Sequence, residues 1–509
     1  MKVYLLVDFG STYTKVTAID LDAEVVIGRA QSPTTVEAGI SIGLDRALEE
    51  LRRSCAFDEG DVCGRYASSS AAGGLKMAAI GLVPDLTLNA ARRAALGAGA
   101  KVVGAYGFEI DDAIVREIEE KDCDIIMLCG GTDGGNKDVI VHNAGMLAGS
   151  RIGCPVLVCG NRVVSGRISE MLASAGKTAY VADNVLPSVT EVNVVPAQNR
   201  IREIFIEHII KAKGFDEAAG RFDRAIIPTP KASLVAAELL ADGTENEPGI
   251  GSLLVVEVGG ATTNVHSVAD VVPFTKETIV RGLPESRVSR TVEGDLGIRY
   301  NARTIFELVG GERLRQLAGE AATLAVGSLA DQIAVQTAGT LAEQTAGQAT
   351  TQATCDPDAT RDASQAPCDP DSYTRLLAET VEYVPQTSQE ALMDVALAAA
   401  ATGIAVERHA GELKTEFSAM GEVNIQYGKN LYGVKNILGT GGIFRYGARP
   451  EMILASALFS EKAPWSLKPR APAQYVDADY LLYAIGLLSQ EHPDAALRIM
   501  KRHLRKRNL

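Results

Sequence analysis

The sequence predicts an α/β protein with two lobes around a cleft and a doubly wound α/β subdomain inserted into the first lobe. The chain has 509 residues, which is too long for one compact core. Three glycine-rich segments, at residues 8–15, 255–266 and 437–447, each follow an apolar strand. Between residues 101 and 210 the pattern strand, turn, helix recurs, which is typical of a doubly wound sheet.

The composition argues against several classes of protein. The net charge of −14 opposes binding to nucleic acid or to an anionic membrane. No stretch approaches the ~18 consecutive apolar residues of a membrane span, and the opening MKVYLLVDFG is typical of a buried strand and not of a signal peptide. The eight cysteines include no C-x-x-C pair, which predicts reduced, buried thiols. We therefore expect a cytoplasmic globular protein with no nucleic-acid or membrane partner.

The first half of the chain predicts one lobe that the subdomain interrupts. A strand, the turn DFGSTYTK and a second strand KVTAID predict a hairpin, and a helix follows at residues 42–54. We assign residues 1–100 to the first lobe and residues 101–210 to the inserted subdomain. Residues 211–245 and 465–509 are expected to complete the first lobe.

The second half predicts the other lobe, at residues 250–464. Helices are expected around residues 304–317 and 388–409. Residues 320–372 are rich in alanine, threonine and glutamine, and the segments CDPDA and CDPDS nearly repeat. This composition predicts a mobile insertion with no chemical role.

The first glycine-rich segment has the residue types of half a nucleotide site. Asp8 ends a strand, where a carboxylate can hold Mg²⁺ through water, and Gly10 lets backbone amides approach a phosphate. The donors and the cation for phosphate oxygens would be Ser11, Thr12, Thr14 and Lys15. For this motif alone, a hairpin with a tight polar turn is an equally good interpretation.

The other two segments favour the nucleotide site. The second repeats the plan of the first, with Glu257 as the acid, and its glycines and hydroxyls are Gly259, Gly260, Thr262 and Thr263. The third supplies a turn where a ribose and an α-phosphate could lie against the backbone, at Gly439, Thr440, Gly441 and Gly442. Three such segments in this order indicate a cleft that closes on ATP.

These segments resemble, in order, the phosphate-1, phosphate-2 and adenosine motifs of the superfamily of actin, heat-shock chaperones and sugar kinases. Lys15 follows the acid by seven residues, as in actin. The segments PTPKASLVAAELL and DADYLLYAIGLL look like the two connecting helices of that superfamily, whose small residues let them pack closely. The resemblance implies two actin-like (ribonuclease-H-like) lobes with ATP or ADP and Mg²⁺ between them. Asp8 and Glu257 would be the catalytic, metal-holding acids.

A narrower resemblance covers nearly the whole chain except the alanine-, threonine- and glutamine-rich insertion. Its motifs are SSSAAGGLKMAAIGL, CGGTDGGNKD, VEVGGATTNVHS, TVEGDLGIR, AVERHAG and ILGTGG. Together they resemble the MutL (GlmL) family of glutamate mutase accessory proteins. The family implies a chaperone-like ATPase that reactivates an adenosylcobalamin-dependent mutase by releasing damaged cobalamin. The mutase served and the oligomeric state, with a homodimer as one option, stay open.

One departure from the superfamily pattern concerns the second phosphate motif. Glu257 stands where aspartate is usual, and Asn264 stands where aspartate is frequent. Glutamate is one methylene longer and still reaches a metal through water, so we expect nucleotide binding with slow hydrolysis.

Three alternative functions stay open. A small-molecule kinase of the same superfamily would need a base near a substrate hydroxyl, and none is obvious. An activator with an iron–sulfur cluster is disfavoured by the cysteine spacing, and a noncatalytic actin-like scaffold would bind nucleotide without any mutase dependence. In CGGTDGGNKD, Asp133 and Lys137 could meet a ligand, or the turn could shape a partner-binding edge. The cobalamin signature D-x-H-x-x-G fails because Ile140 occupies its acid position, so we expect no bound cobalt.

Overall fold

The computed structural model describes residues 1–10, 13–34, 40–70, 75–98, 100–205, 216–340, 368–418 and 421–507. In chain order the strands are β1 (Val3–Phe9), β2 (Tyr13–Asp20), β3 (Val25–Pro33), β4 (Val62–Ser69), β5 (Leu75–Gly81), β6 (Ala100–Gly107), β7 (Ile125–Leu128), β8 (Val156–Val158), β9 (Ala179–Val181), β10 (Ile227–Pro228), β11 (Leu253–Val258), β12 (Thr263–Val268), β13 (Ile279–Arg281), β14 (Val288–Glu293), β15 (Glu412–Ser418), β16 (Gly421–Tyr427), β17 (Asn436–Thr440), β18 (Ala473–Asp477) and β19 (Leu504–Arg507).

The helices in chain order are α1 (Ile40–Ser54), α2 (Asn89–Ala98), α3 (Asp112–Glu120), α4 (Asp138–Ala148), α5 (Arg162–Ser174), α6 (Val195–Ile204), α7 (Asp216–Ala219), α8 (Thr229–Asp242), α9 (Ala302–Thr340), α10 (Pro370–Glu379), α11 (Ser388–His409), α12 (Gly442–Tyr446), α13 (Pro450–Ala455), α14 (Leu482–Leu488) and α15 (Pro493–His503). A short 3-10 turn at Glu59–Asp61 precedes β4, and a π-helical turn at Pro84–Leu88 leads into α2.

Two sheets have the same strand order. The first is β3-β2-β1-β4-β10, and the second is β14-β12-β11-β17-β18 with β19 added at its edge. In each sheet the first three strands are antiparallel neighbours, and the next two run parallel to the central strand. This repeated topology confirms the predicted pair of actin-like lobes, and the pairing of β1 with β2 confirms the first hairpin.

The register places the two predicted acids at corresponding positions. Asp8 lies opposite Lys15 on β2 and beside Ser68 on β4. Glu257 lies opposite Asn264 on β12 and beside Thr440 on β17. Each acid is the last residue but one of the central strand of its sheet. The strand pairing therefore presents one carboxylate at the same edge of each lobe.

The two connecting helices that the sequence predicts are α8 and α14, which follow β10 and β18. They pack so closely that a Cβ on Gly486 would lie 1.9 Å from the carbonyl oxygen of Ala232. The apolar core around them draws side chains from both sheets, including Tyr4, Leu6, Leu253 and Val255. The two lobes are thus joined through a buried pair of helices.

The third sheet, β6-β5-β7-β8-β9, is entirely parallel, and its order is that of a doubly wound fold. It begins at β5, whereas the predicted boundary left β5 in the first lobe and placed all of β6 except its first residue in the subdomain. Strands buried on both faces have the same apolar pattern whichever sheet they join. Strands β18 and β19 also extend the second sheet, although residues 465–509 were assigned to the first lobe. The last strand has the sequence LRKR and is mostly exposed, so it carries no apolar strand pattern.

Helical structure extends into the segment predicted as an insertion. Helix α9 is kinked at Gly310, where φ is 78°, and it continues to residue 340; residues 341–367 lie outside the described part of the chain. Among the described residues, α11 alone has the length and composition of a membrane-crossing helix. However, 67% of its most apolar window is buried inside the protein, as in a core helix.

Candidate nucleotide-binding site

Asp8 lies in a buried pocket of hydroxyls at the end of β1 and is 1% exposed. Its Oδ1 accepts hydrogen bonds from Thr229 Oγ1 at 2.6 Å and from Ser68 Oγ at 3.5 Å. Its Oδ2 lies 3.6 Å from Lys15 Nζ. Burial raises the pKa of Asp8 above its ordinary value, although Lys15 and Thr229 act in the opposite direction. A cation near Asp8 would favour the ionised carboxylate.

Glu257 occupies the corresponding position in the second lobe but has different neighbours. Its Oε2 accepts a hydrogen bond from Asn264 Nδ2 at 3.2 Å and lies 3.7 Å from His266 Nε2. Burial alone would raise the pKa of Glu257, but His266, Arg290 and Asn264 together hold it below its ordinary value. Glu257 is therefore ionised at neutral pH before any ligand arrives.

The two acids lie close enough for their charges to interact. Burial, and to a lesser extent the charge of Glu257, raises the pKa of Asp8, and burial followed by both carboxylates raises the pKa of Tyr480. The ring centroid of Tyr480 lies 4.0 Å from Lys15 Nζ. Two carboxylates that repel each other suit a shared divalent cation, and Mg²⁺ is held by one or two carboxylates while it keeps several waters. In the described ranges, no group of three or more His, Cys, Asp or Glu side chains is placed to hold a metal ion.

The predicted glycines form tight turns beside these acids. The Gly10 N–H donates to the Tyr13 carbonyl at 3.1 Å, and the Gly259 N–H donates to the Thr262 carbonyl at 2.9 Å. Gly441 has a φ of 110°, and a Cβ there would lie 2.3 Å from the carbonyl oxygen of Val258. The third glycine turn therefore packs directly on the end of β11.

Glycines 260 and 442 have different surroundings. The Gly260 carbonyl accepts from the N–H groups of Arg299 and Tyr300 at 2.9 and 3.0 Å. A Cβ on Gly442 would have no neighbour within 4 Å, so the start of α12 has open space on one side. The sequence-predicted adenosine turn thus has room for a ligand against its backbone.

Two predicted phosphate-binding hydroxyls, and the hydroxyl of Thr440 in the predicted adenosine turn, instead contact the protein itself. Thr14 Oγ1 is hydrogen-bonded to Thr34 Oγ1 at 3.1 Å. Thr263 Oγ1 donates to the Leu296 carbonyl at 2.7 Å, and Thr440 Oγ1 donates to Asp477 Oδ2 at 2.9 Å. A hydroxyl has one proton to donate, and Thr34 Oγ1 gives its own to the Gly10 carbonyl. These three side chains therefore stabilise the loops, which corrects the expected role of Thr14 and Thr263 as phosphate donors.

Several groups around the acids were not predicted as site residues. Thr229 is the first residue of α8, and Ser68 lies near the end of β4. Both residues lie outside the glycine-rich motifs that contain Asp8 and Glu257. Arg290 on β14 donates from Nη2 to Asn264 Oδ1 at 3.4 Å, and burial lowers its pKa to about 9. Asn264 offered a usable signal, because it follows Glu257 by the seven residues that separate Asp8 from Lys15. Ser11 and Thr12 were predicted to bind phosphate but lie outside the described residues.

The other two motifs have internal partners. In CGGTDGGNKD, Asp133 Oδ1 accepts from the Arg162 N–H at 3.0 Å and from Asn184 Nδ2 at 2.9 Å. In TVEGDLGIR, Glu293 and Asp295 pair with Arg408, and Arg299 pairs with Asp394. These charged side chains therefore have partners within the protein itself. The seven cysteines in the described ranges are free thiols.

Comparison with known proteins identifies the family. A family model described as MutL protein matches residues 4–356 and 355–504. Protein MutL of Clostridium tetanomorphum is 41% identical over 506 residues, which cover 99% of this chain and 100% of that protein.

Similarity to solved structures is weaker. The activator of the 2-hydroxyisocaproyl-CoA dehydratase from Clostridium difficile, with bound ADPNP, has a TM-score of 0.31 and 10% identity, over 100% of this chain and 99% of that one. A ligand-bound xylulose kinase from Lactobacillus acidophilus has a TM-score of 0.34 and 9% identity, over 100% and 93%. Neither score carries an argument about function. The family model and the full-length relative show that this chain belongs to the MutL protein family.

Proposed function

We propose that this protein is an ATP-dependent accessory protein that reactivates an adenosylcobalamin-dependent mutase, of the glutamate mutase or aminomutase type, in the cytoplasm. The observation that carries the proposal is the pair Asp8 and Glu257. These acids end corresponding strands of two lobes with one topology, and their charges act on each other. Membership of the MutL family, and the role that the sequence resemblance implies for it, support the choice of partner.

In this proposal each lobe contributes one acid and one phosphate-binding loop to nucleotide binding. Asp8 and Glu257 hold the water ligands of Mg²⁺, and Lys15 balances charge beside Asp8. Phosphate oxygens meet the loop residues Gly10, Ser11, Thr12, Gly259, Gly260 and Thr262, and the adenosine side lies against residues 439–442. Bound Mg²⁺ would neutralise negative charge on the phosphates. Hydrolysis is slow because the longer Glu257 side chain is held by Asn264 and His266.

The proposed output is a movement of the lobes about α8 and α14. The close packing of these helices at Gly486 favours rotation of rigid lobes over bending within one lobe. The inserted domain, as part of the first lobe, would move with it and contact the cobalamin domain of the mutase without holding cobalt. Stoichiometric cobalamin on the isolated protein would contradict this last point.

The decisive experiment follows phosphate and corrinoid release together. The purified protein is incubated with Mg²⁺–ATP, alone and with a cyanocobalamin-inactivated mutase from the same source. We expect ATP-dependent corrinoid release, its loss in Asp8→Ala, and its retention in Asp22→Ala, which removes a carboxylate that is 52% exposed. ATP turnover without corrinoid release would support a kinase or a scaffold instead. Absence of nucleotide binding would reject the site itself.

A further inference from the structure

Arg290 lies between the candidate nucleotide site and the inserted domain. It is 6% exposed, and its Nη1 donates to the carbonyl oxygen of Leu96 on α2 at 2.9 Å. Its Nη2 donates to Asn264 Oδ1 at 3.4 Å, and Asn264 Nδ2 donates to Glu257 Oε2 at 3.2 Å. One chain of hydrogen bonds therefore runs from the acid of the second lobe to a helix packed against the inserted sheet.

The contact with α2 satisfies a need of that helix. Leu96 lies in the last turn of α2, where carbonyl groups have no partner within the helix. A guanidinium group there also balances the negative end of the helix dipole. The end of α2 thus depends on a cation from the other lobe.

The guanidinium itself is only partly satisfied. Its Nε is buried and has no hydrogen-bond partner, and within the described part of the chain no carboxylate lies within ion-pair distance of it. A buried cation without a direct counter-ion is held by the acceptors it has. The position of Arg290 therefore depends on both Leu96 and Asn264.

We propose that Arg290 is a positioning residue that couples the state of Glu257 to the position of α2, and through α2 to the inserted domain. The inference rests on the proposed function, since it requires a metal–nucleotide complex at Glu257. When Glu257 holds a metal-bound water, its negative charge is shared and its attraction for Asn264 and Arg290 weakens. Arg290 is then held by Leu96 alone, whereas with the full charge on Glu257 it is held by both Leu96 and Asn264.

The surroundings of α2 permit such a movement. A cavity of about 1630 Å³ separates the helix from part of β14 and is lined by Leu88, Arg92, Leu96, Arg290 and Glu293, among others. The cavity is lined by residues of both α2 and β14, so the contact between these two elements is incomplete there. Coupling of two sites requires an element with two arrangements, and α2 has the space for them.

The same helix provides a matched control. Arg93, also on α2, pairs with Glu285 of the second lobe at 2.7 Å. No described contact of Arg93 reaches Asn264 or Glu257. Arg93→Gln therefore removes a cross-lobe contact of α2 without touching the chain to the acid, whereas Arg290→Gln breaks that chain.

The test is amide hydrogen exchange in the full-length protein at residues 89–98, without nucleotide and with saturating Mg²⁺–ADP or a non-hydrolysable ATP analogue. We expect the wild-type exchange rates to change at least about fivefold on nucleotide binding. Arg290→Gln should lose this response at saturating nucleotide, and Arg93→Gln should exchange faster in all states but keep the fold-change. If Arg290→Gln does not fold, Asn264→Ala breaks the same chain from the other side.

The outcomes separate this inference from the proposed function. A full response in Arg290→Gln or in Asn264→Ala, or an equal loss of response in Arg93→Gln, would overturn the coupling role. A wild-type protein that binds nucleotide without any response in α2 would overturn it too and leave the proposed function standing. A wild-type protein that binds no nucleotide would refute both.

Discussion

The two lobes share one sheet topology but shift the pKa of their acids in opposite directions. In each lobe the acid is followed after seven residues by its partner on the next strand. In the first lobe that partner is Lys15, yet the pKa of Asp8 is raised; in the second it is the neutral Asn264, yet the pKa of Glu257 is lowered. A full positive charge opposite the acid therefore does not decide its ionisation.

The difference lies in what surrounds each acid within the buried layer. The Lys15 side chain is 30% exposed, so water weakens its effect on Asp8, and the direct partners of Asp8 at Oδ1 are hydroxyls. Burial tends to raise the pKa of Glu257, but His266, which is fully buried, and the buried Arg290 lower it. Charges interact more strongly where water is excluded. An arriving cation would therefore do more to favour the ionised form of Asp8, whose pKa is raised, than that of Glu257, whose pKa is already lowered.

The largest expected effect concerns the helices that keep the two acids in register. Gly486→Val should lower the free energy of unfolding by about 3 kcal/mol, because its Cβ would overlap the Ala232 carbonyl and push α8 and α14 apart. Gly145→Ala on α4 is the control, since no atom lies within 4 Å of its Cβ, and it should be neutral or slightly stabilising. Urea unfolding of both variants measures the effect. Equal stability would mean that the lobes are not held by this contact.

Neutralising each acid should have opposite consequences in the nucleotide-free protein. Glu257→Gln should lower the free energy of unfolding by about 2 kcal/mol, because it leaves Arg290 buried without the compensating charge. Asp8→Asn should leave stability unchanged or raise it by about 1 kcal/mol, because it removes a buried charge that the fold disfavours. Urea unfolding at pH 7 compares them. Changes of the same sign would contradict the electrostatic contrast between the lobes.

The pH dependence of these differences has a definite sign. The folded pKa of Asp8 lies above its unfolded value, so the stability linked to its protonated form is present at low pH and is lost as pH rises through the folded pKa. The folded pKa of Glu257 lies below its unfolded value, so its contribution is present at neutral pH and is lost as pH falls through the folded pKa. The difference between wild type and Glu257→Gln should therefore shrink as pH falls below about 4.3, whereas the pH-dependent part of the difference between wild type and Asp8→Asn should begin to shrink at a higher pH and be gone by about pH 3.9.

Sequence patterns predicted the acids, the glycine turns, the connecting helices and the presence of an inserted doubly wound sheet. They assigned phosphate binding to hydroxyls that contact the protein instead. Because side chains in a strand alternate between two faces, the positions of Thr14 and Thr263 could have excluded them. Lys15 and Asn264 share a face with the acids, so their neighbours Thr14 and Thr263 point to the other face. Thr229 and Arg290 could not be found this way, because tertiary packing of distant segments brings them to the acids.

A smaller effect on Mg²⁺–ADP binding is expected when a hydroxyl near one of the two acids is removed. Thr229→Val removes the 2.6 Å hydrogen bond to Asp8, so the pKa of Asp8 rises further and more carboxyl is protonated at mildly acidic pH. We expect Mg²⁺–ADP binding to weaken about tenfold at pH 6 and its pH midpoint to move upward. Thr440→Val is the control from the second lobe, because that hydroxyl bonds to Asp477 and not to Glu257. It should leave the midpoint in place, whatever it does to affinity.

The smallest expected effect concerns the contact between Lys15 and the aromatic ring of Tyr480 in the first lobe. Lys15 Nζ lies 4.0 Å from the ring centroid of Tyr480, a contact worth about 1 kcal/mol at a partly buried site. A double-mutant cycle of Tyr480→Leu with Lys15→Met should return a coupling of that size in the free energy of unfolding, while Tyr480→Phe keeps the ring and should retain it. A coupling near zero would mean that Asp8 alone orients Lys15. Asn264, the counterpart of Lys15, is oriented by hydrogen bonds to Glu257 and Arg290. The cation–aromatic contact of Lys15 therefore belongs to the lobe whose acid, Asp8, has the raised pKa.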